Sequence, residues 1–534
     1  MYDLLIENGW IVDGAGNPRR RADVGISGGR IIALGDLTGD AARRRIDAEG
    51  AVVCPGFIDC HSHTDSTVAM NPLFESTIRQ GITTEVVGNC GGSAAPTAPD
   101  AGRGGSDGLS DESAGIPKGC SLGRYMDYLD RKGMSANLAW LVGHNTLRKF
   151  AGVSGAAATE RQYEIMERLL AEALDDGAIG FSTGLEFEPG RACVPEEPLR
   201  LAGRLKAYGG IYASHIRNRD SGVLEALDEF LHVIETHKIR GQVSHLNIRH
   251  NTHAPGGALA ACVKRLESAR VRGVDVLADM TPLNYGMGQM AGILPQWFTA
   301  SPPDKLGFML KDPAVRARLR GDCDRYWRFI SSGEWERVRM QNCSALPELN
   351  GMSFPEIAKM QNQDPWDCYF DILAASAPDI WQVGLVAYLF TDDHLKETIS
   401  HPLYMLAVDG YSTSTDGEVA KHTRFPLHYI GMAWFLTRHV METSVLSLEE
   451  AVRKMTSMPA GHFRLGSRGL IATGYIADLC IFHPERLKTP FDVANPAQYT
   501  RGMDYVFIAG VPVLDMGLHT GAEPGKNLRR QKMD

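Results

Sequence analysis

The sequence predicts an α/β fold: a (β/α)8 TIM-type barrel with a small β-sandwich domain formed by both chain termini. Three observations predict it. Eight short apolar runs recur through the middle of the chain, separated by amphipathic helical stretches, which is the rhythm of a parallel barrel. The two ends read instead as short alternating strands broken by glycine turns. The polar residues that close the apolar runs repeat a few types, His, Cys and Asp, at the address where barrel strands present their chemistry.

Taken in order, "YDLLIENGWIVD", "ADVGISGGRIIALG" and "RRRIDAEGAVV" fill the first fifty residues without a helical period. The chain ends in the same style with "GYIADLCIFHP" and "YVFIAGVPVLD". Residues 1–53 and 460–534 are therefore assigned to the small β domain, and 54–459 to the barrel. The eight runs are "AVVCPGFIDCH", "TTEVVGNC", "ANLAWLVGH", "GAIGFSTGL", "GGIYASHI", "RGQVSHLN", "GVDVLADM" and "YMLAVDG". Helical stretches between them include "SLGRYMDYLDRKG", "ERQYEIMERLLAEALDDG" and "GVLEALDEFLHVIETH". A doubly wound open sheet would call for a Gly-rich phosphate turn after its first strand, and "CHSHTDS" is not one. Residues 98–120, rich in Gly, Ser and Asp, read as a mobile loop. Residues 284–380 carry no clear strand and read as a helical insertion acting as a lid, with Trp297, Trp327 and Trp366 giving it an apolar underside.

Composition narrows the class. The chain has 534 residues, 44% hydrophobic and 22% charged, with a net charge of −9. That is ample for a large core and offers no basic surface, which excludes nucleic acid as a partner. The opening "MYDLLIENGW" has no basic and apolar signal regions, and the most apolar window, "IWQVGLVAYLF", is too short to span a bilayer. The ten cysteines are spread singly with no C-x-x-C pair, as expected of reduced thiols in a cytoplasmic protein. The expected partner is a small-molecule substrate. Membranes are not expected, and a homo-oligomer stays open.

"GFIDCHSHTDS", Gly56 to Ser66, places His61 and His63 two apart at the end of a buried run. Residues two apart in a strand point the same way, so both imidazoles reach one point. The other run ends add Cys90, His144, Glu186, His215, His245, Asp279 and Asp409. Repetition of metal-ligand types at one structural address points to a metal centre.

The residues that carry a wider likeness are "GFIDCHSHTD", "QGITTEVVGNCGGSAAP", "LVGHNTLR", "GFSTGLEFEPG", "ASHIRN", "QVSHLN", "VDG" and "RKMTSMPAGHFRLGSRGLIATGYIADLCIF". Over nearly its whole length the chain resembles the amidohydrolase superfamily, and within it the N-acyl-D-amino-acid deacylase (D-aminoacylase) family. Many superfamily members bridge two metals with a carboxylated lysine on strand four. "GAIGFSTGLEF" has no lysine, and Cys90 matches the cysteine that takes the bridging place in this family. The resemblance implies one or two zinc ions, with His61, His63 and Asp409 at one position and Cys90, His215 and His245 at the other. It implies a zinc-activated water, whose pKa falls toward about 7, with Asp409 as general base and then acid. His144 and the Ser182–Thr183–Gly184 turn are expected to line the pocket.

Two positions depart from the family. Asn247 stands where members usually carry a carboxylate-binding lysine, and Asp279, with Tyr285 downstream, stands where members have a tyrosine that polarises the carbonyl. Arg217, Arg249, Lys421 and Arg424 are the cations nearby in sequence. The expectation is a zinc hydrolase of a linear C–N bond whose substrate, an amide, carbamate, urea or anilide, lies outside the N-acyl-D-amino acids. The alternatives are an N-acyl-D-amino-acid deacylase proper and a non-catalytic assembly protein of the same fold. The complete ligand set speaks against the last.

Overall fold

The computed structural model describes residues 1–99, 115–323 and 326–530. Most of the loop expected over 98–120 lies outside the described residues. Eight parallel strands form the barrel: β1 (Phe57–Asp59), β2 (Ile82–Val87), β3 (Asn137–Gly143), β4 (Gly180–Gly184), β5 (Ile211–His215), β6 (Arg240–Val243), β7 (Val276–Met280) and β8 (Tyr404–Leu406). Each pairs with the next in sequence. Between β8 and β1 the ring is nearly closed by the Asp409 amide on the His61 carbonyl (2.9 Å) and the His63 amide on the Gly410 carbonyl (2.7 Å). The helices follow the expected periods. Glu160–Asp175 starts on a Thr159–Gln162 capping box and buries Met166, Leu169, Leu170, Ala173 and Leu174, one stripe at helical spacing.

Nine strands from both ends of the chain form one sheet, in which Tyr2–Ile11 pairs with Arg20–Ser27, Ala42–Asp47 and Val52–Pro55. Val52–Pro55 joins Leu479–Phe482 antiparallel, linking the N-terminal and C-terminal strands. Leu4, Ile6, Val24, Ile46, Leu479 and Phe507, from both halves, share one apolar core.

The barrel floor uses residues that the sequence assigned to the small domain. Phe463, which ends helix Ser457–Phe463, and Leu465 just after it pack with Ile58, Val86 and Leu141 inside the barrel, and Leu528 joins them. Leu528 also bonds the backbone of Leu138 on β3, and Asn527 accepts from Trp140 Nε1 (2.7 Å).

The segment after β7 is not purely helical. It holds helices such as Pro313–Asp322 and Pro365–Ser376, and also a three-stranded antiparallel sheet of Tyr285–Gln289, Val338–Asn342 and Gly384–Tyr388. The three expected underside tryptophans do other work. Trp327 stacks on Tyr326 and Phe329, and Trp366 meets Trp335 and Tyr369 edge to face. These rings anchor the insertion in the apolar core that it shares with the barrel residues Trp140, Leu170 and Tyr212. Trp297 instead donates to Asp322 under the Arg318 guanidinium.

Candidate metal centre and cavity

The C-terminal ends of the strands open into a cavity of about 460 Å3. His61 and His63 follow β1, Cys90 follows β2, His215 ends β5, His245 follows β6 and Asp409 follows β8. Cys90 Sγ lies 3.2 Å from His61 Nε2, 3.3 Å from His245 Nε2 and 3.6 Å from His215 Nδ1. Asp409 Oδ1 lies 3.2 Å from His63 Nε2 and 3.4 Å from His61 Nε2. His61 thus stands between the thiol group and the carboxylate group. Donor atoms of His61, Cys90, His245 and Asp409 all fall within 4.8 Å of one another. Ligands tetrahedral about one zinc ion, at its ordinary bond lengths, are about 3.5 Å apart. The donor set and its spacing therefore fit zinc.

Local backbone holds this geometry at a cost. Cys90, His245 and Asp409 adopt left-handed φ values of 50°, 34° and 52°, each worth about 1–3 kcal/mol of strain. The Cys90 turn is wedged against strand ends that must be glycine. A Cβ on Gly184 would sit 1.9 Å from the Cys90 carbonyl oxygen, and one on Gly143 2.3 Å from that of Gly91. Asp59 orients the first ligand by accepting from the His61 and Val408 amides. Glu186 Oε2 accepts from His215 Nε2 at 2.6 Å, leaving Nδ1 toward Cys90, the usual outer support of a ligating imidazole.

The charges reinforce one another. Burial raises the Cys90 thiol, but His61 and His215 outweigh it and hold it well below its ordinary value. Burial also opposes charge on His61, yet Cys90, Asp409 and Asp279 lift it well above the usual imidazole range. Asp409 is raised by burial and lowered further by His61 and His63, so it stays ionised.

The residues expected in the pocket mostly stand elsewhere. His144 is fully buried and bonds Glu197 at 2.6 Å, behind the wall. Ser182 receives the Gly91 amide and donates to the Gly88 carbonyl, bracing the Cys90 turn. Thr183 bonds Tyr212 and Ser214. Asp279 takes the His245 amide and Gln242, beneath His61. Tyr285 packs on Tyr388 and Phe491. Asn247 is fully buried, with its carbonyl toward the Thr281 amide, because the left-handed turn at His245 folds the chain inward. Arg217 is clamped by Glu229, Arg249 by Glu186 and Asp220, and Lys421 pairs with Glu418 on the surface. Arg424 Nη2 reaches the Ala494 carbonyl instead. The cavity wall that sequence reasoning missed includes Arg219, Lys149, Phe187 and Tyr411 around the centre, and Met287 and Trp381 from the insertion. Arg219, Phe187 and Tyr411 lie in loops beyond the strands, where no periodic signal reaches, while Lys149 sits in helix His144–Phe150, Met287 in strand Tyr285–Gln289 and Trp381 in a short helical turn.

A (β/α)8 barrel that gathers imidazole, thiol and carboxylate donors at its C-terminal mouth is the architecture of a metal-dependent enzyme. The chain belongs to the amidohydrolase family, whose model matches residues 44–287 and 337–514. It is 33% identical over 531 residues to the N-acyl-D-glutamate deacylase of Alcaligenes xylosoxydans xylosoxydans, covering 99% of this chain and 96% of that one. It is 30% identical over 544 residues to the D-aminoacylase of the same organism, covering 99% and 98%. Among solved structures, the N-acyl-D-glutamate deacylase of Bordetella bronchiseptica, complexed with zinc and a phosphonate inhibitor, superposes with a TM-score of 0.82 at 29% identity, covering 99% of each chain. The L-hydantoinase of Arthrobacter aurescens shares the fold, with a TM-score of 0.56 at 16% identity and coverage of 99% and 100%. Among the described residues no helix is long and apolar enough to cross a membrane.

Proposed function

We propose that the protein is a zinc-dependent N-acyl-D-amino-acid deacylase. The expectation of a substrate outside that class finds no support: full-length relatives are deacylases of this kind, and its premise fails because Asn247 does not line the cavity. The observation that carries the proposal is the position of Cys90 Sγ, within 3.6 Å of His61, His215 and His245 and facing the cavity.

In this reading His61, His63 and Asp409 hold one zinc position and Cys90, His215 and His245 the other. Zinc bound there supplies Lewis-acid polarisation of the scissile carbonyl and acidifies a water. Asp409 does the proton work. Its carboxylate, held ionised by His61 and His63, takes a proton from the attacking water as the C–O bond forms. It then gives that proton to the leaving nitrogen as the C–N bond breaks. The insertion, whose Met287, Gln341, Asn342 and Trp381 line the cavity, acts in this reading as a lid that limits water around the reacting amide.

The test is turnover by purified, zinc-loaded protein of N-acetyl-D-amino acids, their L enantiomers, and simple anilides and ureas. Hydrolysis of the D series is expected. Zinc-replete protein that cleaves only the anilides or ureas would overturn the proposal.

A further inference from the structure

An N-acyl amino acid brings a free carboxylate into the cavity. Taken out of water, that group needs a cation with hydrogen-bond donors to spare. We propose that Arg219 is its anchor, an inference that rests on the deacylase reading and extends it to a specificity-determining residue.

Arg219 stands four residues after His215, in the loop that follows β5, and lines the cavity with a side chain only 9% exposed. One of its nitrogens is committed. Nη1 donates to the His245 carbonyl at 2.9 Å and lies 2.9 Å from His245 Nδ1. Among the described residues Nε has no hydrogen-bond partner and is buried. Its nearest carboxylate, Glu186, is 3.7 Å away and is already bound by Arg249 and His215. The guanidinium is therefore a buried cation that lines the cavity and has donors beyond those spent on His245, which is what a carboxylate matches.

Its position suits the substrate. The two nitrogens of His245 face opposite ways, Nε2 toward Cys90 and Nδ1 toward Arg219. Arg219 thus stands one imidazole away from the donor cluster. In an N-acyl amino acid only the nitrogen and Cα separate the scissile carbonyl from the carboxylate. The other nearby arginines are consumed: Arg217 by both oxygens of Glu229 at 2.8 Å, Arg249 by Glu186 and Asp220. Lys149 also lines the cavity, but from an exposed site where solvent weakens its pull.

The experiment compares kcat/KM for N-acetyl-D-methionine and for its primary amide in wild type, R219Q, R219K and K149Q, with zinc content measured in each. Wild type should prefer the acid. R219Q should lose about 100-fold on the acid, chiefly through KM, and less than about tenfold on the amide, since the charge-assisted contact vanishes for the acid alone. R219K, which keeps the charge but not the fork, should fall between them and covers the case in which R219Q does not fold. Equal losses on acid and amide would overturn the proposal and leave Arg219 as a support for His245. So would an acid preference that survives in R219K and R219Q and disappears in K149Q. A wild type that cleaves neither compound defeats the deacylase reading. Calorimetric binding of the same two compounds to wild type and R219Q then judges Arg219 separately: acid-selective affinity lost in R219Q upholds it, and equal affinities overturn it.

Discussion

The same eight strands end in opposite ways. At the mouth they terminate in ionisable side chains, three of them on left-handed backbone, pressed against a cavity. At the floor they terminate on Phe463, Leu465 and Leu528, apolar and unstrained by charge. The contrast shows a division of labour along each strand: strain and buried charge are tolerated at one end because the other end supplies cohesion. The small sheet adds to the cohesive side through Val52–Pro55, which runs straight into β1.

Each of four substitutions probes that division. At the mouth, Asp409→Asn should cut kcat by about 10²–10⁴ while zinc content stays near that of wild type, because a proton carrier is lost but a weak ligand remains. Steady-state kinetics beside metal analysis reads this, and a variant retaining a tenth of the rate would remove Asp409 from the proton path. At the floor, Phe463→Ala should cost about 3–5 kcal/mol of stability, seen as an earlier denaturant midpoint, while kcat of the folded protein is unchanged. A matching fall in kcat would mean that the two ends are not separable. Smaller than either, Glu186→Gln should weaken zinc binding by about 10–100-fold through misorientation of His215, read by competition with a chelator. The smallest effect belongs to Asn527→Ala, which removes the acceptor of Trp140 Nε1. It should cost about 1 kcal/mol without altering zinc affinity, and a change in that affinity would couple floor to mouth.

The sequence made the barrel legible because its strands are buried on both faces and read as continuous apolar runs. Residue alternation then carried the reading one step past each strand end, to a series of His, Cys, Glu and Asp positions; it took the family resemblance to single out His61, His63, Cys90, His215, His245 and Asp409 among them. It failed beyond that step. Asn247 is two residues past His245, but the backbone turns left-handed between them, so alternation no longer says where a side chain points. Asp279 and Ser182 face the supports of the site and not the cavity for a different reason: direction within a strand is periodic, and depth in the barrel is not. Arg219 was illegible because its loop is set by tertiary contacts to His245 and Glu186. Leu528 meets Leu138 across hundreds of residues with no local pattern to mark it.

The pairing of Val52–Pro55 with Leu479–Phe482 also sets the order in which this molecule is made. Cys54 lies opposite Cys480 in that ladder, with more than four hundred residues of barrel and insertion between them. A contact that distant is slow to close, and until it does the N-terminal strands present an open hydrogen-bonding edge. During synthesis they wait on the ribosome's schedule, exposed for as long as the intervening chain takes to emerge. Completion of the small sheet is thus a long-range step in the folding of this chain, one that joins its two ends far from the metal-ligand cluster.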